Sequence, residues 1–452
     1  MRFIALFFIV FFILSCSSKQ TVKVLSEPKV KKEIKEFLQT NEIYDLQKFE
    51  QNSLTYLKDI TIKDVNVKQD EFERLYFSPW NKVPTDSKRI AMWPFDSYKY
   101  GQMYGENLKL IDESVFDALK DNSNFENYKH LNKKAISLKH INIRAFPTSK
   151  PMFKDPKLAG EGFPFDYMQN STLSANKPLL ISHYSKDKEW AYIFTSFTGG
   201  WVKSKDIVTI EDKYTNQWQK AKQIFLTKDN IPLYNEAGRF LFDSRVGMSL
   251  PLIEEENDYY IVLTVSEYKD HQTNYHKTKI SKSISHKEPM KFTKKNIQKI
   301  FDEVAKSKYG WGGLYGQRDC SSTIRDIYAP FAIWLPRNSY QQSKVGKQIS
   351  LENLSDEQKI ELIKKDAIPF KTILYKKGHV LIYVGVKDGN IVVFHNTWGI
   401  KTLKDGQDGR VIIGESIFSS LRLGKELTYY DEDAALLKSI KSMNIFKIEL
   451  YL

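Results

Sequence analysis

Between positions 135 and 265 the apolar residues fall in short alternating runs broken by turn residues, which is the patterning of small sheets rather than of packed helices. The first runs cover 136–144, 179–183, 191–195 and 200–203. A second set covers 223–227, 231–234, 248–253 and 259–265. This rhythm predicts two tandem β-barrels of SH3 size, over 126–212 and 213–290. At 452 residues the chain exceeds a single core, so further domains are expected on either side.

Apolar residues make up 41% of the chain and aromatics 13%, which excludes a largely disordered protein. The 68 Lys and Arg against 55 Asp and Glu leave a formal charge of +13, favouring anionic surfaces or polyanions as neighbours. The N-terminus argues against nucleic acid as that polyanion. Met1-Arg2 precedes an unbroken apolar run over 3–14, the length of a signal h-region and short for a spanning helix. The run ends Ile13-Leu14-Ser15-Cys16-Ser17-Ser18 and resembles a bacterial lipoprotein box. Residues 1–15 are then a signal peptide, and Cys16 is the acylated residue that tethers the chain to a membrane. An ordinary cleaved signal with an incidental cysteine is the alternative. Ser17 after the cysteine resembles outer-membrane sorting in a cell with two membranes. With Cys16 lipidated and Cys320 used in chemistry, no disulfide is expected.

Residues 16–125 read as a tether and a clip. A short helix is predicted over 30–38. Residues 75–104 are rich in aromatics and Pro, with Phe77-Ser78-Pro79-Trp80 and Met92-Trp93-Pro94-Phe95, and show no clean period. Such a segment packs over other domains rather than folding alone. Residues 287–291 read as a linker into a helix over 294–307, with Ile297, Ile300, Phe301 and Val304 on one stripe.

Chemistry concentrates in the last third of the chain. Asp319 is a good N-cap residue. Ile324, Ile327 and Tyr328 follow Cys320 at helical spacing, so the thiol sits at a buried helix start, with Pro330 stopping the helix. A helix N-terminus and a nearby imidazole are expected to lower the thiol pKa, and N–H groups of the first turn are placed to hold an oxyanion. His379 opens an apolar strand, Asp388-Gly389-Asn390 is a turn, and the returning strand carries His395. A five-residue loop over 386–390 would place His395 opposite Leu381, sharing a face with His379. The resulting constellation is Cys320 as nucleophile, His379 as base and His395 as the group fixing the base's tautomer. Asn396 is the competing third group. A zinc site of Cys320, His379 and His395 is a weaker reading because no two ligands are closely spaced, so no metal and no cofactor are expected. The other six histidines, His271 and His276 among them, are expected on the surface.

At these residues the chain resembles the NlpC/P60 family of cell-wall cysteine peptidases. Tyr309-Gly310-Trp311-Gly312-Gly313, Asp319-Cys320-Ser321, Leu335-Pro336-Arg337-Asn338-Ser339, Gly378-His379 and His395 match in order. Upstream, Phe77-Ser78-Pro79-Trp80, Arg144-Ala145-Phe146-Pro147-Thr148 and Gly200-Trp201-Val202 resemble members with an N-terminal clip and two bacterial SH3 domains. The resemblance implies an α+β chain whose papain-like catalytic domain spans 291–452. It implies hydrolysis of the γ-D-glutamyl to L-diamino acid bond in peptidoglycan stem peptides, with the first SH3 domain walling the groove so that a free N-terminal L-Ala is preferred. It also implies substrate contacts at Tyr309, Asp319, Ser321 and Ser339, with Asp319 suited to an ammonium group. The partners expected are stem peptides and, through the lipid, a membrane; no nucleic acid is expected, and the chain is expected to be a monomer. Two other readings stay open: a non-catalytic peptidoglycan-binding lipoprotein, and a Cys-His acyltransferase acting on lipid.

Overall fold

The computed structural model describes residues 43–58, 60–61, 69–267 and 273–446. The leader, Cys16, the helix expected over 30–38 and His271 lie outside the described residues.

Among the described residues the strands assemble into three main antiparallel sheets. The first contains β1 (Lys133–Ser137), β2 (Ile141–Arg144), β3 (Gln169–Leu173), β4 (Pro178–Tyr184), β5 (Trp190–Phe194), β6 (Gly199–Lys203) and β7 (Ile207–Thr209), in the order β3-β2-β6-β5-β4-β1-β7. The run expected over 136–144 is divided in two. Strand β3 has polar alternate positions and lacks a strong apolar signature, so its sequence does not announce it.

The second barrel is built on β8 (Gln223–Leu226), β11 (Ser249–Glu255), β12 (Tyr259–Glu267), β13 (Thr273–Ser281) and β14 (Ser285–Lys287). A two-stranded ribbon of β9 (Pro232–Tyr234) and β10 (Phe240–Asp243) accompanies it.

The aromatic segment before the barrels works as a staple. On α1 (Gln69–Tyr76) and just beyond it, Phe72, Tyr76, Phe77 and Trp80 are buried in one core with Trp218 and Phe225 of the second barrel. The Trp80 indole donates to the Ala135 carbonyl of the first barrel at 2.9 Å. Farther upstream, Phe49, Tyr56 and Leu57 pack into the core of the C-terminal domain.

That domain packs α2 (Lys294–Val304) and α3 (Cys320–Tyr328) against a sheet ordered β15-β20-β16-β17-β18-β19. Its strands are β15 (Lys347–Ser350), β16 (Thr372–Lys376), β17 (His379–Lys387), β18 (Asn390–Lys404), β19 (Gln407–Ser420) and β20 (Ile440–Ile445). Ile297, Ile300, Phe301 and Val304 of α2 meet Ile324, Ile327 and Tyr328 of α3, and Val380, Ile382, Phe394 and Phe418 of the sheet, in one core. The turn between β17 and β18 is tighter than expected. Val386 pairs with Ile391, leaving Asp388 and Gly389 as a two-residue turn with both φ positive, the geometry that matches strand twist. A bulge between Tyr383 and Gly385 then shifts the register by one, so Ile382 pairs with Phe394. One step further along, His395 faces Leu381, the placement that a longer loop was expected to produce.

Two histidines expected on the surface are buried instead. His183 sits in an aromatic cluster and bonds Ser182 at 2.9 Å and the Ser123 carbonyl at 3.0 Å. His276 bonds Ser266 at 2.7 Å. Both face their neighbours through local polar partners that the sequence pattern does not reveal.

Candidate active site

Asp319 begins α3 with a capping box: its carboxylate accepts from the Ser322 N–H at 2.8 Å, and Ser322 Oγ accepts from the Asp319 N–H at 2.9 Å. Cys320 is therefore held in the first turn, with only 8% of its surface exposed. Its sulfur lies 4.0 Å from the Gly378 carbonyl, and the N–H of Val380 hydrogen-bonds to it, so it rests against the two residues flanking His379.

The imidazoles form a chain. His379 Nε2 lies 2.8 Å from His395 Nδ1, and His395 Nε2 lies 3.0 Å from Ser419 Oγ. Ser419 Oγ donates its single proton to the Ser420 carbonyl at 3.1 Å, so it accepts from His395 Nε2–H. A neutral His395 then has a lone pair on Nδ1, which accepts from His379 Nε2–H. The nitrogen left basic on His379 is Nδ1. Ser419 thus sets both tautomers by the direction of one hydroxyl proton. Asn396 turns elsewhere: its amide donates to the Lys308 carbonyl at 3.3 Å and ties β18 to the segment before Tyr309.

Electrostatics differ from the expected activated thiolate. Burial pushes the Cys320 thiol up to about 12, with the Asp319 carboxylate adding to it and the N–H groups of Val380 and Ser321 opposing it. Burial pulls His379 down to about 3, helped by Lys376. His395 is lowered by burial, then by His379 and Lys376. Between those limits the resting pair is a neutral thiol and a neutral imidazole. The helix start favours an anion, but in the closed site desolvation wins.

Asp319 is not a free carboxylate. Burial works to raise its pKa, but Arg337 more than offsets this and holds the carboxyl below its usual range. Arg337 pairs with both oxygens, at 3.0 and 2.6 Å. The same guanidinium donates to Ser321 Oγ at 2.8 Å and to Ser171 Oγ of the first barrel at 2.7 Å. Any ammonium that approached Asp319 would have to share it with Arg337. Ser321 Oγ also contacts Asp319, and Ser339 begins a short helix whose Gln342 donates to the Ser321 carbonyl at 2.8 Å. Burial raises the Tyr309 phenol far above its usual value, with Cys320 and Asp319 adding to it, so Tyr309 keeps its phenolic proton.

Aromatic rings extend the site onto the first barrel. Tyr309 and Trp398 lie 5.8 Å apart, Trp398 and Phe165 5.8 Å, and Phe165 and Trp311 5.2 Å. The Trp311 indole donates to the Asp166 carbonyl at 3.0 Å. Gly312 and Gly313, at φ +58° and +88°, allow this approach: a Cβ on Gly313 would stand 2.4 Å from Thr172 Oγ1. Arg337, Ser419 and Trp398 escaped sequence reasoning. Arg337 stood inside a matching motif and Trp398 three residues after His395, whereas nothing local marks Ser419. Among the described residues no group of three His, Cys, Asp or Glu side chains is placed to hold a metal.

Family models match in four places. The N-terminal NLPC_P60 stabilising domain matches 5–128, an SH3 domain of SH3b1 type 151–203, an SH3 domain of SH3b2 type 212–256, and the NlpC/P60 family 306–407. The C-terminal domain belongs to the NlpC/P60 family. The chain is therefore α+β, with an NlpC/P60 domain preceded by a clip and two SH3-like barrels. Among solved structures it is similar to an NlpC/P60 endopeptidase from Photobacterium damselae subsp. piscicida, at 22% identity and a TM-score of 0.76, over 88% of this chain and 97% of that one. An NlpC/P60 family protein from Bacillus cereus matches at 16% identity and a TM-score of 0.46, over 69% of this chain and 99% of that one. No curated protein matches the sequence.

Proposed function

We propose that this NlpC/P60 chain is a cysteine endopeptidase that cuts the γ-D-glutamyl to L-diamino acid bond of peptidoglycan stem peptides. The carrying observation is the Ser419-His395-His379 chain, which leaves a basic Nδ1 on the histidine whose strand start touches the Cys320 sulfur. In this mechanism Sγ attacks the amide carbonyl as its proton passes to His379 Nδ1. N–H groups at the start of α3 take the oxyanion. His379 then protonates the leaving amine of the diamino acid, and water reverses the steps on the thioester. Because thiol and imidazole are both neutral at rest, proton transfer accompanies attack instead of preceding it.

The preference for a free N-terminal L-Ala follows from the resemblance and is supported by the first barrel's Ser171, which shares Arg337 with Asp319, and by its Phe165, which packs on Trp311 and Trp398. Lipidation at Cys16, export and attachment to a membrane, the outer one where there are two, complete the proposal and rest on the leader sequence. Mass spectrometry of a defined tetrapeptide, L-Ala-γ-D-Glu-diamino acid-D-Ala, tests specificity against the same peptide N-acetylated. The proposal predicts release of L-Ala-D-Glu from the free peptide and slow or no release from the blocked one. Cleavage at another bond, or equal rates on both, rejects it.

A further inference from the structure

A cavity of about 240 Å³ lies behind the Cys320 helix, where both barrels meet the catalytic domain. Arg245 of the second barrel, Ser322 and Arg325 of α3, and His140, Asn142 and Thr172 of the first barrel line it; Cys320 and His379 do not.

Its charges do not balance. Arg318 pairs with Asp326 at 2.8 Å and with Asp229 at 3.0 Å. Arg245 pairs with Asp326 at 3.1 Å and donates to the carbonyls of Gly316 at 2.7 Å and Gln317 at 3.1 Å. Two carboxylates thus serve two guanidiniums. The third, Arg325, reaches only Asp326 at 3.6 Å, and its Nη1 is buried without a hydrogen-bond partner. Its face lies on the Phe197 ring at 4.2 Å. Arg325 also lines an adjoining space of about 40 Å³ that holds Lys177, whose ammonium sits on the Tyr76 ring. Burial pulls the Arg325 pKa down to about 10, against the pull of Asp326, which is the mark of a cation short of a counter-charge.

A guanidinium nitrogen shut off from water without a partner is costly, and the planar fork of the half-buried Arg325 is shaped for a carboxylate. Lys177 does not line the 240 Å³ cavity, where Arg325 is the guanidinium short of a full carboxylate partner, and a single such group suits a monoanion better than a phosphate dianion. We propose that this cavity binds a small carboxylate, up to the size of an amino acid, seated on Arg325, with Asn142 and Thr172 as its polar edges.

Thermal melts of the full chain and of Arg325→Met, titrated with acetate, glutamate or phosphate at constant ionic strength in chloride, test this. In the parent the Tm is expected to rise saturably with acetate or glutamate, and the apparent affinity to fall by about tenfold or more in Arg325→Met. Without carboxylate the variant is expected to melt no lower than the parent, because it has lost a cation whose one ion pair is long and whose Nη1 has no hydrogen-bond partner. An equal response in both proteins, no saturable response in the parent, or tighter binding of phosphate overturns the proposal. A second measurement needs no variant. The 19F line of trifluoroacetate should broaden on the parent protein and sharpen when glutamate is added, and an unaffected line overturns the proposal as well.

Discussion

Burial keeps the Cys320 sulfur and the His379 ring uncharged at rest, and in the proposed mechanism this has a direct consequence for reactivity. With the thiol pushed up to about 12 and the imidazole pulled down to about 3, the thiolate fraction rises with pH throughout the neutral range. Inactivation of the free protein by iodoacetamide should therefore climb by about tenfold per pH unit from 6 to 9. A plateau beginning near pH 5 would mean a preformed thiolate-imidazolium pair instead. Ser419 offers a second test. Removing its hydroxyl leaves His395 Nε2–H without its acceptor and frees the imidazole chain to reverse its tautomers. A hydrogen bond worth about 1 kcal/mol corresponds to a drop in kcat of about fivefold for Ser419→Ala, with KM unchanged and rescue by Ser419→Thr. An unaltered kcat would remove Ser419 from the relay. Cys320, His379 and His395 were legible as a set, because capping, helical spacing and strand alternation are local signals. Ser419 was not: its role depends on a strand pairing 24 residues from His395.

At the scale of elements, the hairpin shows how a correct placement arises by a different route. His395 faces Leu381 because a two-residue turn is combined with a bulge at residue 384, and a bulge leaves no reliable mark in a run of apolar residues. The clip reaches the same strand system from outside. Asp45 accepts from the Ser420 N–H at 2.7 Å, and Gln51 bonds both backbone groups of Phe418, bracketing Ser419. The connection before α3 is equally exacting. A methyl group at Gly313 meets Thr172 and requires a left-handed backbone, so Gly313→Ala should push the first barrel off the loop. The expected loss is about 2 kcal/mol of stability, read from urea midpoints, together with a raised KM for free N-terminal peptides. A variant with parental stability and KM would show that the barrel does not press on the loop. Eight runs of the barrels were legible from alternation, whereas β3, β7, β10, β13 and β14 were not; β3 is polar at alternate positions and packs against Gly312 and Gly313, about 140 positions away.

The whole molecule is stitched together by side chains that cross between its parts. One core joins clip residues Phe72 and Trp80 to the second barrel and to Ala332 of the catalytic domain. Another joins Phe49 and Tyr56 to the catalytic core and to Val246 of the second barrel. Arg337 bonds Asp319 and Ser171 at once. Residues 43–452 should therefore unfold in one calorimetric transition, with van't Hoff and calorimetric enthalpies equal. Separate transitions for a barrel and the catalytic domain would show that these shared cores contribute little. Domain order was readable along the chain, since each part has its own patterning. The interfaces were not, because contacts such as that of Arg337 with Ser171, 166 residues apart, carry no periodic signal.

In the proposed reaction the buried sulfur of Cys320 performs the hydrolysis with His379 as its base. Turnover of the free tetrapeptide by the parent, Cys320→Ala and His379→Ala, followed by mass spectrometry, addresses it most directly. L-Ala-D-Glu is expected from the parent and, for each variant, a loss of at least about a hundredfold with the fold intact by circular dichroism. Hydrolysis by Cys320→Ala at a rate near that of the parent would contradict it.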